Sequence, residues 1–426
     1  MSLSRFAYST LLYLLLPFVL LRLVLKSRKN KQYRLRIKER LGYVSFGLKE
    51  ENIIWIHAVS VGETIASKPL VEQLLKQYPA HKVLITSTTP TGSETITRLF
   101  DDKVLHCYFP YDLPHIIKRY IKKVRPSLLI IVETEIWPNL YHHCKSQHIP
   151  VLMVNARLSS RSTQQYLRIK KLVRETLSCT SLIAVRSFED KQHFLSLGAP
   201  HEKVKLLGNI KFDIEINRNS LEKKGHKLKK QWGKDRKVWV AASTHDGEDE
   251  IILDIYKHLK QHFPHLLLII VPRHPERFDA VYSLLNSSNY LVQRRSDNSK
   301  FNHHTDIILG DSMGELLLWY ATANIAFIGG SLVKTGGHNP LEATALGIPV
   351  VSGAHIFNFN DIYPILCNEK LAWIENTQND IENKIIKILQ SENSHFKKYC
   401  DQFMRQHHGV VSKLLALQQV WLARRE

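Results

Sequence analysis

Short apolar runs alternate with helical patterns along most of the chain, and this alternation restricts the fold more than any other feature of the sequence. Runs such as Ile53–His57, Leu128–Val132 and Ile325–Ile328 have the length and the β-branched composition of buried strands. Helical patterns, for example Thr64–Gln77 and Leu113–Val124, lie between most of them. Such alternation is typical of parallel sheets that are covered by helices on both faces. The sequence therefore predicts an α/β fold.

The length of the chain indicates more than one α/β domain. With 426 residues, of which 44% are hydrophobic, the chain can build two cores. A polar, strongly charged stretch without an apolar period separates two groups of predicted strands, and we interpret it as a linker or a solvated edge. The predicted segments are 1–45, 46–216, 217–236, 237–405 and 406–426, of which the third is the charged linker and the last a terminal amphipathic helix.

The N-terminal segment has the composition of a membrane anchor. The range Phe6–Leu25 is nearly all apolar, and about twenty such residues can span a bilayer, although Pro17 and Arg22 argue against a clean span. Eight Lys or Arg residues follow in Lys26–Arg40, and positive charge marks the cytoplasmic side and attracts anionic headgroups. We expect residues 1–45 to be an uncleaved anchor with a basic segment. The alternative is a buried helix beside a solvated basic face.

Charge, cysteines and histidines restrict the classes of partner. The formal net charge of +20 fits nucleic acid, an anionic membrane or an anionic substrate. Nucleic acid is disfavoured, because the positive charge is concentrated beside the anchor and aromatic residues do not interleave with a basic strand face. Five scattered cysteines without a CxxC pair indicate a reducing compartment. The histidine doublets lack the spacing of helical zinc motifs, so we predict no metal site.

Candidate catalytic residues follow the first group of predicted strands, where ligands of parallel sheets bind. Glu63, in HAVSVGE, begins a helical pattern and could act as a general base, or could merely be a favourable first-turn residue. Glu133 and Glu135, in ETEIWPN, follow a buried run, where an unpartnered acid is costly. They could serve a site or simply pair with Arg157 or Arg161, which could equally clamp an anion.

Further candidates follow later strands. Lys211, in GNIKFD, would place a positive charge near the domain junction, or is an ordinary surface lysine. Arg273, in VPRHPERF, directly follows a strand and could bind a phosphate or stack on a base. Met313, Gly314 and Glu315, in GDSMGEL, lie at a predicted helix start, where backbone N–H groups and the glutamate could hold a nucleotide. Each of these could instead be a turn or capping residue.

The glycine-rich stretch 325–353, IAFIGGSLVKTGGHNPLEATALGIPVVSG, predicts a strand, a turn, a helix start and a second strand. Asn339 and Pro340 suit the cap and the first turn of that helix. A helix start favours phosphate, and Glu342 is a candidate to hold ribose hydroxyls. The alternative is an αβ connection that binds no ligand.

Together, the motifs HAVSVGE, ETEIWPN, NARLS, GNIKFD, ASTH-x-GE, VPRHPER, MGEL and GGHNPLE, in this order, resemble those of the bacterial 3-deoxy-D-manno-octulosonic acid (Kdo) transferases of lipopolysaccharide assembly. The resemblance spans nearly the whole chain. It implies a GT-B fold, with two Rossmann-like domains that face a central cleft: an acceptor-binding domain over 46–216 and a CMP-sugar-binding domain over 237–405. It also implies an inverting transfer of Kdo from CMP-Kdo to an anionic lipid A precursor, lipid IVA, at the cytoplasmic face of the inner membrane, without a cofactor or a metal.

The resemblance implies roles for single residues as well. Glu63 corresponds to the general base, and Glu133 and Lys211 correspond to residues that support the transition state. Two other functions stay open: a related nucleotide-sugar enzyme, such as a transferase with another donor or an epimerase, and a membrane-anchored nucleic-acid-binding protein. The positions implied to bind CMP are Pro272, Arg273, Met313, Gly314, Glu315, Asn339, Pro340, Leu341 and Glu342.

Overall fold

The computed structural model describes residues 2–28, 31–44, 46, 52–297, 300–391 and 395–422. The chain divides into two compact units: the first holds the residues up to Asp213 and those from His407 onward, and the second holds Ile214–Gln406. Each unit contains one sheet whose seven described strands pair in parallel. The predicted α/β class with parallel sheets is therefore confirmed.

The strands of each sheet are numbered in chain order. The first sheet has the order β3-β2-β1-β4-β5-β6-β7, and the second has the order β10-β11-β9-β8-β12-β13-β14. The strands are β1 (Asn52–His57), β2 (His81–Ser87), β3 (Leu105–Tyr108), β4 (Pro126–Val132), β5 (Val151–Ala156), β6 (Leu182–Val185), β7 (Val204–Leu206), β8 (Val238–Thr244), β9 (Leu267–Pro272), β10 (Val292–Arg294), β11 (Ile307–Leu309), β12 (Ile325–Ile328), β13 (Val350–Ser352) and β14 (Ala372–Ile374).

Helices connect most of these strands, as parallel pairing requires. The described helices are α1 (Leu3–Ser27), α2 (Ile37–Arg40), α3 (Val61–Gln77), α4 (Pro90–Phe100), α5 (Pro114–Val124), α6 (Pro138–Ser146), α7 (Ser160–Leu167), α8 (Lys170–Leu177), α9 (Phe188–Ser196), α10 (Arg218–Trp232), α11 (Asp249–His262), α12 (Phe278–Asn286), α13 (Leu316–Tyr320), α14 (Leu341–Ala345), α15 (Tyr363–Asn368), α16 (Gln378–Gln390), α17 (Phe396–His407) and α18 (Val410–Leu422).

The first sheet is covered on both faces. Successive residues of β1 point to opposite faces, so that Ile53 and Trp55 join one apolar cluster while Ile54 and Ile56 join another. The second cluster includes Val410, Val411, Leu414 and Leu415 of α18, which brings the C-terminal helix back onto the first unit. Burial on both faces explains why these strands read as continuous apolar runs.

The charged segment 217–236, predicted as a linker, is largely helical. It contains α10, in which Gly225, Leu228 and Trp232 are buried at a spacing of three and four residues. A Cβ atom at Gly225 would lie 3.0 Å from the carbonyl oxygen of Ala321, so α10 packs closely on the residue that follows α13. The two buried apolar side chains are too few to reveal an apolar period among so many lysines. The predicted segment boundaries themselves stay a prediction.

Three other elements differ from expectation. The strands β10 and β14 were not predicted, because each has only three residues and most of their side chains are only partly buried. The sequence pattern over 162–177 predicts one helix, whereas the structure has two, α7 and α8, because Ile169 has a non-helical φ of −120°. Among the described residues, one helix, α1, is long and apolar enough to cross a membrane by its length and composition.

Candidate functional site

The strand order of each sheet reverses at one point, and ligands of open α/β sheets bind outside the carboxyl ends of the strands at such points. In the first sheet the reversal lies between β1 and β4. Glu63 lies in the first turn of α3, shortly after β1, and Glu133 directly follows β4. In the second sheet the reversal lies between β8 and β12, and the glycine-rich stretch follows β12. Sequence position and topology therefore indicate the same two edges.

Glu63 is held by the residues that begin its helix. The Ser60 hydroxyl accepts a hydrogen bond from the Glu63 N–H (3.3 Å) and donates one to Glu63 Oε1 (2.8 Å), while the Val59 N–H donates to Oε2 (2.7 Å). The residue is only 9% exposed. Burial raises the pKa of Glu63 to about 7, against the effect of the Val59 N–H and with a further increase from the charge of Glu133. This carboxyl group is thus oriented and can exchange a proton near neutral pH.

Glu133 has a left-handed backbone, with φ of 61°. Its N–H donates to the Val154 carbonyl (2.8 Å), which continues the pairing of β4 with β5 for one residue. Its Oε2 lies 2.8 Å from Nε of Arg157. Of the two arginines left open by the sequence, Arg157 therefore pairs with Glu133, whereas Arg161 is exposed in the first turn of α7.

Glu135 is the third carboxyl group at this edge. Burial raises the pKa of Glu135 to about 7, and the charges of Glu63 and Glu133 raise it further. Acids this close titrate together, so the protons of Glu63 and Glu135 belong to the group rather than to either residue. The sequence had placed Glu135 beside Glu133, and the structure adds the proximity of both to Glu63.

These carboxyl groups line a cavity of about 650 Å³ within the first unit. Its other walls come from segments that follow β5 and β6. Sequence reasoning missed Arg186 and Tyr166; Arg186 directly follows β6, so its strand-end position was an available signal, whereas nothing in the sequence singles out Tyr166. Besides the three glutamates, the cavity is lined by Thr134, Arg157, Leu158, Ser159, Ser162, Tyr166, Arg186, Ser187, Glu189 and Asp190.

Lys211 lies at the same edge of the first sheet, in a 3-10 turn over Ile210–Phe212. Asn155 near the end of β5 has φ of 54°, and its Oδ1 accepts a hydrogen bond from the Ile210 N–H (3.2 Å). The Asn209 side chain accepts from the Lys211 N–H (3.1 Å). Two asparagines thus fix the turn that carries Lys211, shortly before the chain leaves the first unit at Asp213.

In the second unit, a buried carboxylate organises the carboxyl edge of the sheet. Glu248 is fully buried, and its two oxygens accept hydrogen bonds from the N–H groups of His245 (2.8 Å), Gly330 (2.6 Å), Ser331 (3.0 Å) and Leu332 (2.9 Å). The N–H groups that follow β12 are therefore satisfied by the protein itself rather than offered to a phosphate. This contact, between the segment Ala242–Glu248 (ASTHDGE) and the glycine-rich stretch, was not predicted.

Three imidazoles lie together at this edge. Nε2 of His245 lies 2.8 Å from Nε2 of His338, and the two rings stack with centroids 5.1 Å apart. The ring of His274 meets His245 edge-on at 5.3 Å. Burial, followed by the charge of His245, lowers the pKa of His338 to about 3. His338 is therefore neutral near pH 7 and can exchange hydrogen bonds with a ligand without carrying charge.

The arginine predicted to bind phosphate joins this cluster. Pro272 ends β9, and the N–H of Arg273 donates to the Thr244 carbonyl of β8 (3.0 Å). Burial lowers the pKa of both His245 and His338, and the charge of Arg273 lowers both further. The structure thus brings Arg273 and the histidines together, although they come from three separate motifs.

Of the three residues predicted to hold a nucleotide at the start of α13, two are open to solvent and one is paired within the protein. Met313 is exposed, and Gly314, with φ of 82°, faces open space. Glu315 precedes α13, and its carboxylate accepts two hydrogen bonds of 2.9 Å from Arg295. These hydrogen bonds, and then the charge of Arg295, lower the pKa of Glu315. The carboxylate of Glu315 is therefore already paired within the protein. Glu315 could contact a nucleotide through its backbone, or through its carboxylate if Arg295 moves away.

The predicted helix start in the glycine-rich stretch is present but short. The helix α14 has five residues, and Pro340 is its N-cap residue. Asn339 acts from the position before it, because its Oδ1 accepts a hydrogen bond from the Leu341 N–H (3.1 Å). Glu342 lies half-buried in the first turn. Among the residues that the structure describes, no group of three or more His, Cys, Asp or Glu side chains is arranged to hold a metal ion.

Two family models match the chain. A model described as 3-deoxy-D-manno-octulosonic-acid transferase (kdotransferase) matches residues 35–214, and a model described as glycosyl transferases group 1 matches residues 232–406. The sequence is 43% identical to a 3-deoxy-D-manno-octulosonic acid transferase of Haemophilus influenzae over 99% of both chains. It is 36% identical to the enzyme with the same name from Bordetella pertussis over 72% of both chains.

A solved structure supports the architecture. The UDP-GlcNAc 2-epimerase of Neisseria meningitidis matches 87% of this chain and 99% of its own, with a TM-score of 0.54. Because only 17% of the residues are identical, this likeness concerns the fold alone. Together with the second family model, it confirms the predicted two-domain α/β architecture of GT-B type.

Proposed function

The chain belongs to the family of 3-deoxy-D-manno-octulosonic acid (Kdo) transferases, and on this premise we propose that it transfers Kdo from CMP-Kdo to lipid IVA at the cytoplasmic face of the inner membrane. The reaction class, glycosyl transfer, follows from the family; the donor, the acceptor and the location are the proposed part. A formal charge of +20 suits a membrane enzyme whose donor and acceptor are both anionic.

The observation that carries the proposal is the placement of Glu63. Its carboxyl group is oriented by two hydrogen bonds, has a pKa of about 7 and faces a cavity of about 650 Å³ at the reversal point of the first sheet. A general base works best when its pKa lies near the working pH. Glu63 would take the proton from an acceptor hydroxyl while that oxygen attacks the anomeric carbon of Kdo.

The displacement would be direct. The new carbon–oxygen bond forms on one face of the sugar while the bond to the CMP phosphate breaks on the other, which inverts the configuration. The proton passes to Glu63, and the electron pair leaves with CMP. One base and one displacement need no covalent intermediate.

The leaving phosphate gathers negative charge that the enzyme must stabilise. We assign this role to Lys211 and Arg273, and we assign CMP binding to Pro272, to the backbone around Met313 and Gly314, to Glu315 and to the segment Asn339–Glu342. The neutral His338 would add a hydrogen bond to the CMP phosphate without adding a charge to the site.

The role of Glu133 is harder to assign, because a carboxylate repels an anionic donor. Its ion pair with Arg157 offsets part of that charge. We propose that the remaining negative charge stabilises oxocarbenium character at the anomeric carbon. A Glu133→Gln enzyme with unchanged turnover would remove this role.

Product mass from the purified protein tests the reaction. The protein is given CMP-Kdo and lipid IVA, and the wild type is compared with Glu63→Gln and with Glu72→Gln, an exposed position on the same helix. We expect Kdo addition by the wild type and by Glu72→Gln, and a loss of about 10²–10⁴-fold in rate for Glu63→Gln. Full activity of Glu63→Gln would place the base elsewhere.

Thermal unfolding tests the donor separately. A ligand present at about 100 times its dissociation constant stabilises the native state by about 2.7 kcal/mol. We expect CMP to raise the midpoint of unfolding more than UDP at the same concentration. A larger shift with UDP would contradict a CMP-sugar donor and favour another nucleotide-sugar enzyme of this fold.

A further inference from the structure

The helix α1 lies on the first unit along one face. Buried or half-buried residues recur every three or four positions along its length, and beyond Ser9 the residues between them are exposed. This is the period of a helix that rests on a surface. The positions of the inward face are Ser2, Arg5, Ser9, Leu12, Leu16, Leu20, Leu23 and Ser27.

The first half of α1 is fixed by hydrogen bonds between side chains. The hydroxyls of Ser2 and Ser4 both donate to Glu175 Oε2 of α8, at 2.6 and 2.7 Å. The Ser9 hydroxyl, 3% exposed, donates to Asn139 Oδ1 of α6 (3.2 Å). These contacts hold the N-terminal end of the helix against α6 and α8.

Two tyrosines of α1 continue this contact. The Tyr8 hydroxyl donates to Asp112 (3.0 Å), a buried carboxylate that also accepts from the N–H groups of Asn139 and Leu140. The Tyr13 hydroxyl lies 2.6 Å from Nδ1 of His115 in the first turn of α5, and the two rings stack. Charged and polar partners of this kind are not stable inside hydrocarbon.

The segment that follows α1 also contacts the first unit. The Lys26 ammonium lies over the ring of Tyr33 at 5.3 Å, and farther along the chain Arg40, 5% exposed, donates to the Thr88 carbonyl (2.9 Å). A helix that crosses a bilayer places its two ends on opposite sides. Here residues in the first half of α1 and Arg40, which follows the other end of the helix, contact the same globular unit.

The length of α1 also argues against a helix that crosses the bilayer. The 14 residues from Leu14 to Ser27, beyond the last of these hydrogen bonds, form a helix of about 21 Å, whereas the hydrocarbon core is about 30 Å thick. The undocked part is therefore too short to cross the bilayer while Ser2–Tyr13 keeps its contacts.

The outward face shows what covers α1. It is apolar along the whole helix, with Leu3 78% and Phe18 68% exposed. Exposed basic residues lie nearby: Arg22, Lys26 and Arg28 at the end of α1, and Lys118, Lys122 and Lys123 on α5, whose first turn contacts Tyr13. An exposed apolar face with cationic side chains nearby matches a bilayer that carries anionic headgroups. The other exposed large apolar residues of α1 are Phe6, Leu11, Tyr13, Leu14, Leu15, Val19, Leu21, Val24 and Leu25.

We propose that α1 lies in the plane of an anionic membrane surface, with its outward face among the acyl chains of one leaflet, and does not cross the bilayer. The proposal rests on the membrane attachment proposed above and specifies its geometry. In this arrangement the whole chain stays on one side, and the docked helix fixes the orientation of the first unit on the lipid surface.

Labelling by a membrane-impermeant maleimide tests the topology. In a Cys367→Ser background, which leaves four buried cysteines, Ser2→Cys and Arg28→Cys are each labelled in inside-out and in right-side-out inner-membrane vesicles. Lys118→Cys marks the side of the first unit. We expect all three positions to react from the same face. Labelling of Ser2→Cys from the opposite face, or only after detergent is added, would overturn the proposal.

Vesicle flotation of the full-length protein tests the lipid contact. Phosphatidylcholine vesicles are compared with vesicles that also contain phosphatidylglycerol. We expect Phe18→Lys to lower the partition coefficient about tenfold or more, because it removes an apolar anchor from the acyl region. The matched exposed position Leu291→Lys, in the second unit, should bind like the wild type. Equal binding of Phe18→Lys and wild type, or no binding of the wild type to either vesicle, contradicts the proposal.

These outcomes separate the two proposals. Kdo transfer to detergent-dispersed lipid IVA depends on the proposed catalytic residues and not on α1. A protein that transfers Kdo in detergent but is labelled from opposite faces would retain the proposed function and lose the in-plane helix. A protein that is labelled from one face but transfers no Kdo would retain the in-plane helix and lose the proposed function.

Discussion

At the scale of single residues, the carboxyl group of Glu63 depends on its neighbours for its proton affinity. Burial and the charge of Glu133 raise the pKa of Glu63, whereas the Val59 N–H and the charge of Arg157 lower it. The same burial and the charges of Glu63 and Glu133 raise the pKa of Glu135. Because the base acts in its ionised form, its activity should be lost as the pH falls through about 7.

Two substitutions should shift the acidic limb of the pH–rate profile in opposite directions. Glu135→Gln removes a negative neighbour, so the limb should move to lower pH; Arg157→Gln removes a positive one, so the limb should move to higher pH. The measurement is kcat/KM for Kdo transfer between about pH 5 and 9, which reports the ionisation of the free enzyme. Shifts of the same sign, or no shift in either variant, would show that Glu63 does not set this limb.

The backbone of Glu133 provides a second prediction at this scale. A side chain at a φ of 61° costs about 1–2 kcal/mol, a cost that glycine does not bear. Glu133→Gly and Glu133→Ala both remove the carboxylate and the ion pair with Arg157, so their difference isolates the backbone. We expect Glu133→Gly to be about 1 kcal/mol more stable in urea unfolding. Equal stability would mean that the left-handed conformation relaxes without cost.

At the scale of elements, Glu248 joins the start of α11 to the turn that follows β12. Its carboxylate accepts hydrogen bonds from four backbone N–H groups that would otherwise need solvent or a ligand. Glu248 therefore fixes the glycine-rich stretch before any sugar donor binds. The close approach of Gly329 to β8 serves the same contact, since a Cβ atom there would lie 2.5 Å from the Ser243 carbonyl oxygen. Both features fix the position of the turn after β12 against the end of β8.

Glu248→Gln should therefore destabilise the second unit. The amide places an NH₂ group against N–H donors, and the loss should be about 3 kcal/mol of unfolding free energy. Glu250→Gln, an exposed neighbour in the first turn of α11, is the matched control and should unfold like the wild type. Thermal unfolding with and without CMP measures both effects, and we expect the CMP shift to shrink in Glu248→Gln alone. Wild-type behaviour of Glu248→Gln would contradict its role in fixing the turn.

At the scale of the whole molecule, the charge of +20 and the apolar face of α1 contribute differently to membrane binding. Electrostatic attraction is screened by salt, because the Debye length falls from about 10 Å at 0.1 M to about 3 Å at 1 M. The burial of apolar surface does not depend on that length. Salt can therefore separate the two contributions.

Binding to anionic vesicles should fall as NaCl rises from about 0.1 M to about 1 M and then level off at the binding seen with neutral vesicles. The measurement is flotation of the full-length protein at each salt concentration. Binding that vanishes at high salt would mean that α1 adds no apolar anchorage, and binding that ignores salt would mean that the basic segment adds no attraction.

Much of the fold could be predicted from the sequence. Buried parallel strands are apolar on both faces, so Leu182–Val185, Ile307–Leu309 and Ile325–Ile328 could be delimited from composition alone. Edge strands of three residues, such as β10 and β14, carry no period and were missed. The helix α10 was missed because only a few of its residues are buried among many lysines.

The candidate site was also predictable only in part from the sequence. The residues at strand ends, such as Glu63, Glu133 and Arg273, were identified in the sequence because parallel topology brings the carboxyl ends of the strands to one edge of each sheet. Which of them touch was decided by the tertiary structure: the pairing of Arg157 with Glu133, the capture of the β12 turn by Glu248 and the docking of α1 through Tyr8. Local periodicity and composition determine elements and their ends. Contacts between residues far apart in the chain depend on the three-dimensional path of the backbone, which no local pattern records.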